Sequence, residues 1–151
     1  EEMVEKQDGI LENSLSFEET LKNIILVRLK FSHESMKREL VLISLIKNIE
    51  ALSPENREIL KKIEQINIDF IKKMLIKFKK ELTAEEKDFQ KYSELISAII
   101  REFKVVSFFL DRGNNENIFI QDFDIVIEKM NNEKLNEGID FIYTCILKIL
   151  K

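Results

Sequence analysis

Carboxylates three residues apart share a helix face and can clamp a divalent cation, which would then activate water or hold a phosphate. The sequence holds two such groups, Glu55-Asn-Arg-Glu58 and, a helix length later, Glu85-Glu86-Lys-Asp88. Both follow a helix-capping residue, however, and acidic side chains are favoured in a first turn by the helix macrodipole alone. The macrodipole accounts for them without a metal. Asp122, Asp124 and Glu128 are read in the same way, as a solvated face. The single histidine, His33, does not complete another site. A di-iron bundle needs Glu-x-x-His pairs facing inward from two helices, and position 30 here is Lys30. Zinc lacks ligands, a nucleophilic triad lacks an orienting pattern around the one base, and no glycine-rich loop is present to cradle a phosphate. The expectation is a chain with no catalytic residues, no metal and no cofactor: a binding protein and not an enzyme.

Cys145 is the only cysteine, which excludes an internal disulfide framework and fits a reducing compartment, so a cytoplasmic location is expected. The amino terminus opens Glu1-Glu2-Met3, acidic where a secretory leader is basic, and no leader is expected. The longest apolar run, Leu40 to Ile46, is interrupted by Ser44 and falls far short of the roughly 20 residues that span a bilayer. No membrane partner is expected. A net charge of −4 argues against a grip on a phosphate backbone, which calls for a basic stripe. The densest basic run, Lys72, Lys73, Lys77, Lys79 and Lys80, spreads over more than half of a helix's circumference, as a solvated face does.

These residues must be positioned by helices. With 151 residues, 44% of them hydrophobic and 34% charged, the chain can bury one core, and a single domain over 1–151 is expected. Three glycines and one proline leave little turn chemistry, which favours a few long helices over many strands. The expected fold class is all-α, a single-domain bundle of about six to seven helices.

Gly9 is placed to end a short first helix over Glu2 to Asp8, and Ser16 with Glu19 forms a capping box for a second. Behind that box Phe17, Leu21, Ile24, Ile25, Arg28 and Leu29 keep the helical period to about Phe31. A break at Ser32-His33 leads to a helix over Glu34 to Leu52, whose Leu40 to Ile46 stretch predicts burial on several sides. Ser53-Pro54-Glu55 reads as N-cap, first helical position and acidic first turn, opening a helix that carries Ile59, Ile63, Ile66, Phe70, Met74 and Phe78 before Leu82. Thr83 with Glu86 is a second capping box, predicting a helix from there to Leu110, closed by Gly113 and the loop Asn114 to Asn117. A helix is expected from about Gln121 to Met130, since an isolated strand there would have no partner. Asn132 caps a last helix whose stripe is Leu135, Ile139, Ile142, Ile146 and Leu150.

Eleven phenylalanines are a bulky load, and methionine adapts to irregular cavities. Each such residue is core by default, yet the set suggests a pocket. Its candidates are Phe31, His33 and Met36 near the first helix junction, Phe70, Met74 and Phe78 along the middle helix, and Tyr92 and Phe103 further on. The last helix shows a second apolar stripe beside the core-facing one: Gly138, Phe141 or Ile142, Cys145 and Ile149. A helix with two stripes can pack on its own domain and on a partner chain. With Ile99 and Val106 from the preceding helix these are candidate dimer-interface residues, the alternative being a tightly packed monomeric core.

The order and lengths of these helices resemble the carboxy-terminal regulatory domain of the tetracycline-repressor (TetR) family of bacterial transcription factors. Glu1-Glu2-Met3 resembles the tail of the family's YxHFxxKEEL segment, and Tyr92 to Leu110 resembles its penultimate long helix. Asn132-Glu133-Lys134-Leu135-Asn136-Glu137-Gly138-Ile139-Asp140-Phe141-Ile142, continuing to Leu150, is similar to the closing helix, an acidic cap followed by GLDxLLxGL. The resemblance implies a homodimer built on the last two long helices, Thr83 to Leu110 and Asn132 to Leu150. It also implies a small, often apolar effector held among the central helices. DNA would be reached only through the family's helix-turn-helix head, which this sequence does not contain. Two other readings stand beside it: a free-standing helical interaction module, and an all-α magnesium-dependent nucleotide pyrophosphohydrolase of loose ExxE…ExxD spacing. The last requires Glu55, Glu58, Glu85 and Asp88 to converge.

Overall fold

The computed structural model describes residues 2–13, 16–29, 41–42, 45, 48–110 and 133–151, and every regular element among them is helical. Five α-helices have both ends among the described residues: α1 (Glu2–Asn13), α2 (Phe17–Leu29), α3 (Pro54–Lys77), α4 (Phe89–Leu110) and α5 (Glu133–Leu150). Short 3-10 turns at Ile49–Ala51, Lys79–Glu81 and Glu86–Asp88 join some of them. The expected all-α class holds for the described residues. The helix expected over Glu34 to Leu52 and the one from Gln121 lie largely or wholly outside them, as do Gly113 and the loop after it.

The centre of the molecule is α2, which packs against α1, α3, α4 and α5. With neighbours on several sides it buries a wide face: Phe17, Thr20, Leu21, Ile24, Ile25 and Leu29. Its start is capped as expected, the Ser16 hydroxyl accepting the Glu19 amide at 3.2 Å. A further orphan amide, that of Phe17, donates to Glu81 Oε2 at 3.1 Å from the turn after α3. Around α2 the core gathers Phe70, Ile71, Met74, Leu75 and Phe78 from the α3 end, Phe89, Ile96 and Ile100 from α4, and Ile139, Ile142, Ile146 and Leu150 from α5. The closing-helix stripe read from the sequence is therefore buried from Ile139 onward. The rings of Phe17 and Phe78 meet edge-on at 6.3 Å, an arrangement their quadrupoles favour.

Helices α3 and α4 form an antiparallel pair. Lys72 Nζ donates to Gln90 Oε1 at 3.1 Å, and Arg101 Nη1 reaches Glu64 Oε1 at 2.9 Å, so positions rise along one helix as they fall along the other. The start of α3 is as predicted, with Ser53 Oγ accepting the Asn56 amide and Pro54 in the first turn. Arg57 then ties that turn back to the preceding segment through the carbonyls of Leu52 and Glu50. Ser93 and Ser97 lie fully buried on α4. They are one turn apart, and Ser97 stands seven residues from Gln90 and four from Arg101, on the side that meets α3. Small side chains there let the two backbones draw close.

Four expectations are corrected. Gly9 does not end α1, which continues through it to Asn13; Asn13 Nδ2 donates to the Gly9 carbonyl at 2.8 Å, holding the last turn. The α3 helix stops at Lys77, with a 3-10 turn before Leu82. Thr83 does not cap α4, which begins at Phe89 after a 3-10 turn at 86–88. Its amide instead donates to the Leu150 carbonyl at 3.0 Å, and its hydroxyl donates to the carbonyls of Leu150 and Lys151 at 3.2 and 3.1 Å. The residue closes the end of α5, whose last carbonyls need donors, and Glu86 is taken by Lys79 at 3.1 Å. Finally, Val41 is exposed and Leu42 and Leu45 are half-buried, so the part of the Leu40 to Ile46 stretch that is described is open on one side.

Candidate functional site

The acidic groups do not converge. Glu55 sits in the first turn of α3 and Glu58 just after it, whereas Glu85 and Asp88 lie beyond the helix's far end. At 1.5 Å per residue, the 24 residues of α3 span about 36 Å and hold the two groups towards opposite ends. Glu85 pairs instead with Lys87 at 2.6 Å, and Asp88 with Lys91 at 3.5 Å. Among the described residues no group of three or more His, Cys, Asp or Glu side chains is arranged to hold a metal ion. Three of the five lysines of the basic run meet partners within the chain. Lys72 meets Gln90, Lys79 meets Glu86, and Lys77 donates to the Leu11 carbonyl while lying 4.9 Å from the centre of the Phe78 ring.

Of the pocket candidates, Phe70, Met74 and Phe78 belong to the buried core, and Tyr92 and Phe103 are partly buried against it. Period and cap bring these five from α3, α4 and the turn after α3 to one cluster. Phe31, His33 and Met36 lie outside the described residues. Among the described residues, one buried side-chain polar atom has no partner, the Ser97 hydroxyl. Comparable helical hydroxyls are satisfied by the carbonyl four residues back, Thr20 at 2.7 Å, Ser93 at 2.6 Å and Thr144 at 2.8 Å. No pattern in the sequence distinguishes Ser97 from Ser93.

The dimer-interface candidates lie on α4 and α5. The two helices are antiparallel. Thr83, just before α4, meets the end of α5, and Phe103 late in α4 meets Gly138 early in α5. A Cβ at Gly138 would lie 2.2 Å from Phe103 Cζ, so a larger residue there requires that ring to shift. Outward of that contact, Phe141 is 69% exposed and Ile149 39% exposed, and Cys145 between them is half-buried. Ile142 faces inward into the core. On α4, Ile99 is half-buried and packs against the core, and the Val106 side chain lies outside the described residues. Leu95, 45% exposed, extends the face by one turn. Sequence reasoning overlooks it, although its position four residues before Ile99 is the helical signal that would find it.

On the opposite side α5 is held to α2 by polar contacts. Lys151 Nζ donates to Glu18 Oε1 at 2.6 Å, and Lys22 lies 3.8 Å from Asp140 and 5.9 Å from the centre of the Tyr143 ring. Burial, then the Glu18 charge, pushes the Tyr143 hydroxyl above its ordinary pKa against the opposing pull of Lys151. The hydrogen bond to Glu18 holds Lys151 above the usual lysine value.

No helix among the described residues is long and apolar enough to cross a membrane. Searches against family models, curated proteins and solved structures find no match to this chain.

Proposed function

We propose that this chain is the effector-sensing and dimerisation domain of a bacterial TetR-like transcriptional regulator. What supports the reading is the α4–α5 face. Of two neighbouring antiparallel helices, α4 carries Leu95 and Ile99 and α5 carries Phe141, Cys145 and Ile149 outside the stripes committed to the domain's own core. An apolar face across two helices is what a second copy needs to complete a four-helix contact about a two-fold axis. The effector would be a small, largely apolar molecule held near Phe70, Met74, Phe78, Tyr92 and Phe103. DNA would be read by a separate helix-turn-helix head.

Native mass spectrometry on gently purified protein tests both parts. A dimer carrying extra mass that denaturation releases is the expected result; a clean monomer without adduct would overturn the reading. The encoded sequence upstream of Glu1 gives an independent check, since a helix-turn-helix ending in Phe-x-x-Lys is required there.

A stand-alone helical interaction module is the second reading. Ile59 and Ile66, both half-exposed and seven residues apart on α3, favour it, because they offer a partner an apolar edge on that helix. In that case the protein would be purified as a monomer with no small molecule attached.

A further inference from the structure

We draw no further inference here: the strongest candidate, the apolar edge that Ile59 and Ile66 leave open along α3, carries nothing because the structure does not show what covers it.

Discussion

Two glycines sit inside helices for different physical reasons. Around Gly9 nothing lies within 4 Å of where a Cβ would stand. Gly9→Ala therefore only removes the entropic cost of glycine, and should raise stability by about 0.5–1 kcal/mol in urea unfolding. At Gly138 the same substitution drives a methyl into the Phe103 ring. The helix-propensity gain of about 1 kcal/mol is then outweighed by overpacking of about 1–3 kcal/mol. The expected outcome is a net loss of about 1 kcal/mol, recovered when Phe103→Leu is added; additive effects in the double mutant would show that the contact is unimportant. Ser97→Ala removes a buried hydroxyl without a partner. Since an orphaned buried polar group costs about 1–3 kcal/mol, this variant should melt higher than the parent, and a lower melting temperature would mean that the hydroxyl is satisfied in solution.

At the scale of elements, the end of α5 depends on a residue 67 positions earlier. Thr83→Val keeps the shape of the side chain and the backbone bond but deletes the hydroxyl bonds to Leu150 and Lys151. A loss of about 1 kcal/mol is expected, with increased amide exchange concentrated in the last turn of α5. The neighbouring α2–α5 contact predicts a pH dependence. Lys151 and Tyr143 both hold their protons more tightly in the folded chain than at their ordinary pKa values. Their contribution is complete at neutral pH and is lost as pH rises through the lysine and tyrosine range. Thermal unfolding followed from neutral to strongly alkaline pH should show that decline, and Glu18→Gln should make it shallower; an unchanged alkaline limb would contradict the pair.

For the whole molecule, the decisive quantity is self-association. Phe141→Asp places a charge at the most exposed apolar position of α5. It should convert a dimer to a monomer in sedimentation velocity while helix content by circular dichroism stays unchanged, because the side chain contributes little to the domain's own core. The parent protein's melting temperature should rise with concentration, as it does when folding is linked to association, and that of Phe141→Asp should not. A parent protein that sediments as a monomer at all concentrations would sink the proposal.

Much of this was legible in the residue order. The all-α class, the α2 stripe, the Ser16 and Ser53 caps and the buried ridge Ile139, Ile142, Ile146 and Leu150 follow from helical periodicity and local capping, which act within a few residues. What residue order could not reveal were partners distant in sequence. Thr83 and Glu86 satisfy the pattern of a capping box, but a hydroxyl goes to whichever unsatisfied carbonyl the fold brings near, here Leu150. The loose ExxE…ExxD spacing is compatible with four carboxylates meeting, whereas the 24-residue run of α3 holds them apart. Gly138 lies against Phe103 of α4, a contact that no local pattern announces. Local order is set by neighbours along the chain; the choice of partner is set by which helix faces the core draws together, and only tertiary structure decides that.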